Sequence, residues 1–315
     1  MTKLQRLSEQ KVLVTGASGF IGSHLCRSLI NKGVEVHAIS RKNISTSKHR
    51  ITWWKGDLSE HSSIRDLLRD VKPDIIFHLA SHVTGARDRD LVIPTFKNNL
   101  ITTVNLLTAA SEIGCNRIVL AGSMEEPWTD SNFAIPVSPY AAAKWASSTY
   151  GRMFHLLYQL PVVILKVFMV YGPDQKDLKK LIPYAINSLL KKEPPKLSDG
   201  KRRVDWVYVE DVVKGFLLAA LSPNIEGKTI DVGTGELIKI RFVVELICKL
   251  IGSNKKPIFG AVNKRPFEQE PIANIERTNK LIGWKPKTGI EEGLKRTIKW
   301  YKENSQKHKD NKPDL

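Results

Sequence analysis

Short, continuous apolar runs alternate along this chain with longer stretches in which apolar residues recur every three or four positions. The runs at residues 11–14, 34–39, 51–54, 74–79, 117–121 and 162–167 are strand-sized and rich in Val, Ile and Leu. The stretches at about 20–31, 62–68, 95–113 and 139–160 carry helical spacing. Strand and helix in steady alternation predict βαβ units and a doubly wound parallel sheet. Both faces of its strands are covered, which explains the absence of polar alternation within the runs.

After Gly172 the pattern changes. Residues 173–203 are Lys-rich and hold Pro183, Pro194 and Pro195. A short strand at 206–209, a helix at 211–221 and a strand at 229–232 follow, then helices at about 241–250 and 290–303. The expected organisation is an α/β domain over 1–172, with a return of the chain at about 204–240. A smaller lobe made of 173–203 and 241–315 would cover the open end of the sheet and bind substrate. The tail 302–315 is expected to be solvated and frayed.

Composition narrows the class. With 315 residues, 42% hydrophobic and 26% charged, the chain can bury a large core, and disordered, collagen-like and disulfide-scaffold classes are excluded. No apolar run reaches the ~18 residues of a membrane span. The polar start MTKLQRLSEQ lacks the apolar centre of a signal peptide, so a soluble cytoplasmic protein is expected. Cys26, Cys115 and Cys248 are far apart with no metal spacing, and each is expected to be a reduced, buried small hydrophobe. The net charge of +17 favours a polyanionic partner: nucleic acid, anionic membrane or a phosphate-rich small molecule.

The first chemical signal is VLVTGASGFIGS at 12–23. Gly16, Gly19 and Gly22 directly follow a strand and open a helix, the context a pyrophosphate-binding turn requires. Ser18, Phe20 and Ile21 complete the turn and the first helical residues. A ribose-binding acid belongs about 20 residues on. Ser40, Arg41 and Lys42 stand there instead, and Glu35 lies too early in the strand. A carboxylate would grip the 2′-hydroxyl of NAD, whereas a Ser–Arg–Lys run suits the 2′-phosphate of NADP. NADP is therefore favoured, with NAD possible.

The second signal is SPYAAAK at 138–144. Pro139 suits a helix start, and Tyr140 and Lys144 are four apart, on one helix face. An ammonium beside a phenol is expected to lower its pKa and make Tyr140 a general acid/base. Ser123, just past the 117–121 strand, is placed to hydrogen-bond a substrate carbonyl or hydroxyl.

At this point the chain resembles the extended short-chain dehydrogenase/reductase family, in its nucleotide-sugar epimerase/dehydratase/reductase branch, over nearly its whole length. TGASGFIG is similar to the family's cofactor turn. GDL at 56–58 matches the segment whose Asp contacts adenine, implicating Asp57 with Leu58. HLAS at 78–81 matches the strand lining the cofactor, implicating Leu79, Ala80 and Ser81. Asn99 matches the family's helix asparagine, and YAAAK its catalytic pair. VYGP at 170–173, RRVDWVYVEDVV at 202–213, IDVGTGE at 230–236 and GWKP at 283–286 match later signatures. The resemblance implies hydride transfer at a sugar carbon. Tyr140 would move the hydroxyl proton, Lys144 would bind the nicotinamide ribose, and Ser123 would orient the reacting oxygen. The implied substrate is a nucleotide-diphosphate sugar, with Arg202, Arg203 and Arg265 as candidates for its diphosphate and His82 as a further substrate contact.

Several positions depart from the family pattern. AGSMEEPW at 121–128 ends in Pro127–Trp128 where Tyr–Gly is usual. Met124 stands where dehydratases that use an aspartate–glutamate pair carry an acid, which disfavours that subtype. Glu125 is a substrate-pocket candidate. Met169 and Lys166 replace a usual asparagine and arginine, and Val204 an arginine before Asp205.

The leading expectation is an NADPH-dependent reductase of a 4-keto-6-deoxy sugar, because a net reductase exchanges its cofactor. The alternatives are a 4-epimerase or 4,6-dehydratase with retained cofactor, a reductase of a non-sugar ketone, and, in a different class, a non-catalytic Rossmann protein binding cofactor or RNA. Intact Ser123, Tyr140 and Lys144 argue against the last, so neither nucleic acid nor membrane is an expected partner. His78 and His82 lack the carboxylate cluster of a metal site, and no metal is expected. A homodimer is expected through the helices at 95–113 and 139–160, with Trp145, Met153, Phe154 and Leu157 as its seam or, alternatively, packed on their own sheet.

Overall fold

The computed structural model describes residues 7–44, 51–127 and 135–310, with side chains to residue 304. The chain divides into two compact units. The first comprises Met1–Val167, Val213–Val232 and Glu276–Trp284; the second comprises Phe168–Val212, Gly233–Ile275 and Lys285–Leu315. The returns to the first unit are thus two, at 213–232 and 276–284, where the sequence reading had one at about 204–240.

In the first unit the strands are β1 (Lys11–Thr15), β2 (Glu35–Ser40), β3 (Ile51–Lys55), β4 (Ile75–His78), β5 (Arg117–Ser123) and β6 (Val162–Val167). The helices are α1 (Phe20–Ile30), α2 (His61–Val71), α3 (Val92–Thr95), α4 (Thr102–Ile113) and α5 (Pro139–Tyr158). In the second, β7 (Met169–Tyr171), α6 (Leu181–Leu190), β8 (Lys196–Leu197) and β9 (Arg203–Tyr208) lead into α7 (Val209–Leu221). β10 (Thr229–Val232) and α9 (Ile275–Ile282) belong to the returns to the first unit, and β11 (Leu237–Lys239), α8 (Ile240–Ile251), β12 (Ile258–Phe259) and α10 (Ile290–Asp310) to the second.

Seven parallel strands form one sheet in the order β10-β6-β5-β4-β1-β2-β3. This is the doubly wound Rossmann arrangement, in which the strand order reverses beside β1 and ligands bind at the carboxyl ends of the strands. β4 is buried along its whole length and β1 from Val12 onward, as continuous apolar strands covered on both faces must be. Helix α2 shows the other half of the packing. Ile64, Leu67, Leu68 and Val71 recur at helical spacing and join a core with Leu106, Leu107 and Ile118. Burying each such side chain contributes about 1.5–3 kcal/mol.

Two local rules place the chemistry. Ser138 caps α5, its hydroxyl accepting the Ala141 N–H at 3.0 Å, and Pro139 at the first position has no N–H to lose. The helix expected over 95–113 is present as an unbroken helical run from Val92 to Ile113, but it is not α-helical throughout. Residues Arg89–Leu91 form a 3₁₀ turn, α3 is one turn long, and Phe96–Ile101 are π-helical before α4 begins. The π turn buries Asn99 to 1% exposure. Such turns concentrate at functional positions.

In the second unit, β11-β9-β7 form a three-stranded sheet and β12-β8 a two-stranded one. Fully buried Asp205 on β9 ties this unit together, accepting the N–H groups of Thr234, Gly235 and Ala273 at 2.5, 2.9 and 3.1 Å. The Lys-rich region 173–203 holds α6 and β8. The expected tail begins inside α10, which continues to Asp310. Cys26 is buried, whereas Cys115 and Cys248 are only half-buried. Among the described residues no helix is long and apolar enough to cross a membrane.

Candidate active site

The glycine turn lies at the carboxyl end of β1. Gly16 has φ +70°, and a Cβ there would stand 2.7 Å from the Ala80 nitrogen and the Leu79 carbonyl carbon. A Cβ on Gly22 would stand 2.1 Å from the Gly16 oxygen. Only glycines let the turn seat against the end of β4 and the helix begin beneath it. Gly19 caps α1 in extended conformation with no side-chain bond, and no acid stands in the first turn. The helix therefore presents backbone N–H groups and its positive end to whatever lies before it. Ser18 and Gly19 are exposed, and Phe20 and Ile21 half-buried. Phe20 stacks edge-on with His24 at 5.7 Å.

The end of β2 carries Ser40, whose hydroxyl accepts the Lys42 N–H at 3.1 Å. Arg41 and Lys42 are exposed, and Arg41 reaches Asn98 Oδ1 at 3.3 Å. Asp57 accepts the Ser59 N–H and hydroxyl, both at 2.9 Å. Burial opposes its ionisation, yet those bonds and the charges of Arg41 and Lys97 hold its carboxyl below the usual range. Lys97, on the π turn, thus belongs to this end of the site, and no motif had pointed to it. Leu58 is buried, with its carbonyl accepting from Asn105 at 3.0 Å.

At β4, His78 lines the core rather than a metal. Its ring nitrogens engage Thr15 Oγ1 at 2.8 Å and Thr103 Oγ1 at 3.0 Å. Burial, with the Lys144 charge, pushes its pKa down to about 3, so it stays neutral. Among the described residues no group of three His, Cys, Asp or Glu is placed to hold a metal ion. Leu79 and Ala80 follow, with the Ala80 N–H donating to Thr15 Oγ1 at 3.1 Å. Asn99 then fixes the next two residues. Its Oδ1 accepts the Ser81 hydroxyl at 3.1 Å and the His82 N–H at 2.6 Å, and its Nδ2 donates to the His82 carbonyl at 3.3 Å.

Tyr140, Lys144 and Ser123 come together with Ser81. The Tyr140 phenol is buried within hydrogen-bonding reach of Ser123 and Ser81. Its pKa is raised, not lowered as the sequence reading expected. Burial is the largest cause, the carboxylates of Glu125 and Glu126 add to it, and Ser123 and Ser81 only partly offset it. The expected help from Lys144 fails for a geometric reason: its ammonium donates to the Ala121 carbonyl at 2.8 Å. Lys144 is itself buried, and burial pushes its pKa down to about 8, with Glu126 opposing.

Glu125 is half-buried; its N–H donates to Ser123 Oγ at 3.2 Å, and its Oε2 accepts Ser138 Oγ at 3.5 Å. Met124 is buried, its N–H bonded to the Val167 carbonyl at 3.0 Å. Glu126, which no pattern singled out, is 2% exposed and accepts the Ser123 N–H at 2.7 Å. Trp128 lies outside the described residues.

The second-unit candidates form no comparable cluster. Arg202 Nη1 pairs with Glu268 at 2.9 Å, and Arg203 Nε with Glu270 at 2.8 Å. Arg265 is exposed, and Met169 starts β7 half-buried. Of the expected dimer seam, Phe154 and Met153 instead pack on the core of their own chain, while Leu157 is exposed.

A family model described as the NAD dependent epimerase/dehydratase family matches residues 12–233. The UDP-glucose 4-epimerase of Mycolicibacterium smegmatis is 30% identical over 317 residues, covering 94% of this chain and all (100%) of that protein. The dTDP-D-glucose 4,6-dehydratase of Mus musculus is 29% identical over 321 residues, covering 94% of this chain and 89% of that protein. Among solved structures, the UDP-glucuronic acid 4-epimerase of Bacillus cereus in complex with UDP-glucuronic acid and NAD superposes with a TM-score of 0.83. It is 27% identical, covering 93% of this chain and 99% of that one.

Proposed function

The chain belongs to the NAD dependent epimerase/dehydratase family, and from that premise we propose that it oxidises and re-reduces one carbon of a nucleotide-linked sugar with Tyr140 moving the hydroxyl proton. It is an enzyme of the extended short-chain dehydrogenase/reductase type. The observation that carries the reading is the buried Tyr140 phenol held against Ser123 and Ser81, one helical turn from Lys144.

The chain fits a nicotinamide dinucleotide: the bare N-terminus of α1 and the glycine turn suit a pyrophosphate, and Asp57 and Leu58 its adenine side. Leu79, Ala80 and Ser81 would line it, with Asn99 fixing Ser81. When bound, the nicotinamide supplies hydride acceptance and return. The protein does the rest. Ser123 orients the sugar oxygen beside Tyr140. Because burial holds the phenol protonated, Tyr140 enters the reducing direction as an acid. In the oxidising direction the Ser123 and Ser81 hydrogen bonds favour the phenolate and ease proton removal. Lys144 supplies a cation on the same helix face for the nicotinamide ribose. The diphosphate of the sugar nucleotide would rest on the basic second unit through Arg202, Arg203 or Arg265. His82, Glu125 and Met169 are substrate contacts in this reading.

Within it, 4-epimerisation with retained NAD has the support of the UDP-sugar epimerases among its relatives, and buried Met124, which carries no proton, speaks against paired-acid dehydration. A second reading, NADPH-dependent reduction of a 4-keto-6-deoxy sugar, rests on Arg41 and Lys42 with Lys97 beside them. Pairing of two chains through exposed Leu156, Leu157 and Tyr158 of α5 completes the proposal. Mass spectrometry of nicotinamide nucleotide released from denatured protein tests it. Stoichiometric NAD is expected for the epimerase. Protein that purifies empty and then takes up NADPH reversibly, in preference to NADH, would instead establish the reductase.

A further inference from the structure

Glu126 is a carboxyl shut away from water at the end of β5, and its surroundings are built for it. Its Oε1 accepts the Ser123 N–H at 2.7 Å, while its own N–H donates to the Ser123 carbonyl at 3.1 Å. The side chain thus doubles back and closes a ring around Ser123. Gly122 leaves the space: a Cβ there would lie 2.7 Å from Glu126 Oε1. The Ser148 hydroxyl of α5 is a further hydrogen-bond partner. A buried carboxylate without partners is costly enough that cores exclude it. Here the partners are the reactive serine and the helix that carries Tyr140 and Lys144.

The charged and titratable groups facing it come from every neighbouring element. Lys144 and Tyr140 face it from α5, Lys166 from β6, and Glu125 lies on its own turn. His78 of β4 faces Lys144 from beyond and stays neutral. Burial pushes the Glu126 pKa up, and its bonds to Ser123 and Ser148 and the charges of Lys166 and Lys144 pull it back.

We propose that Glu126 is a positioning residue for the reaction above: it locks Ser123 against Tyr140 and keeps Lys144 charged inside a dry site. The inference rests on the proposed function for its consequence in turnover, and for its link to Lys144 on where the two groups sit along β5: Lys144 holds the Ala121 carbonyl and Glu126 the Ser123 N–H two residues on. Without Glu126, nothing among its facing groups offsets the burial that already lowers Lys144 to about 8. The ammonium would then be lost at lower pH.

Glu126→Gln keeps the length and an acceptor for the Ser123 N–H while removing the charge. The alkaline limb of its kcat against pH is expected to move down by about one pH unit, with little change in KM. Glu126→Asp keeps the charge but draws it back from Ser123. Its kcat is expected to fall roughly tenfold with the alkaline limb left in place. Cofactor-free protein gives a second readout. Lys144 holds its proton less tightly folded than unfolded, so it makes stability rise with pH above about 8. That rise should begin at lower pH in Glu126→Gln than in the natural chain. An alkaline limb and a stability onset unmoved in Glu126→Gln, or an undiminished kcat in Glu126→Asp, would overturn the proposal. If the natural chain turns over no nucleotide sugar, the functional reading fails, and the cofactor-free comparison still decides whether Glu126 sustains Lys144. If Glu126→Gln does not fold, the kcat of Glu126→Asp decides alone.

Discussion

His78 stands at the end of β4 with both ring nitrogens engaged by threonine hydroxyls, and burial holds it neutral down to about pH 3. In the unfolded chain a histidine takes up its proton near pH 6.5. Below that value the unfolded state therefore binds one more proton than the folded state, and stability falls as pH falls. Across pH 6 to 5 the natural chain should lose about 1 kcal/mol more than His78→Gln, at a limiting slope of about 1.4 kcal/mol per pH unit. Urea unfolding at the two pH values measures it, and parallel losses in both proteins would contradict the assignment. The same residue scale marks where the sequence stopped being informative. YAAAK set Tyr140 and Lys144 on one face, and the structure brings them together with Ser123. The direction of the tyrosine's shift was not legible, because it depends on how much water burial removes and on where the Lys144 ammonium points. Glu126 was missed for a related reason: a carboxylate beside another carboxylate reads as a solvated pair until the fold shows that one of them is enclosed.

At the scale of elements, the turn between β1 and α1 makes a sharper demand than its motif. Gly16 and Gly33 share a positive φ, +70° and +77°, so alanine at either pays the left-handed strain of about 1–2 kcal/mol. At Gly33 nothing lies within 4 Å of the added carbon, whereas at Gly16 it meets the backbone of Leu79 and Ala80. Gly16→Ala should thus lower the melting temperature clearly further than Gly33→Ala, and also weaken nicotinamide nucleotide binding, which Gly33→Ala should leave intact. Equal melting shifts would mean that the turn can retreat from β4. Long elements with clear periodicity were legible in advance: α1, α2, α5 and α10 start where the hydrophobic spacing placed them, to within a residue or two. The helix over 95–113 was legible as one long run, but its π turn was not, because such a turn changes the backbone hydrogen bonds without changing the run of apolar residues. The strands β7, β8, β11 and β12, of two or three residues each, are too short to show any period.

At the scale of the whole chain, the parallel sheet brings the glycine turn, the end of β4, Ser123 and the Tyr140 helix to the carboxyl ends of neighbouring strands, so residues far apart in sequence share one site. The doubly wound parallel sheet followed from the alternation of runs and helices, whereas the second return at 276–284 did not. That return depends on fully buried Trp284 beside Gly215 and on Thr278 bonding the Asp231 carbonyl at 2.7 Å, contacts with no local sequence signature. The charge of +17 suits a substrate that carries a diphosphate. In the proposed reaction Tyr140 carries the proton of a hydride transfer on such a substrate. The most direct measurement supplies NAD- or NADPH-loaded enzyme with a panel of UDP-, dTDP- and GDP-linked sugars and their 4-keto derivatives. It follows absorbance at 340 nm and products by mass spectrometry and NMR, beside Tyr140→Phe. Turnover of at least one member is expected, slowed about 100-fold or more in Tyr140→Phe with nicotinamide binding retained. A panel left untouched by the natural chain, or a phenylalanine variant that works as fast, would contradict it.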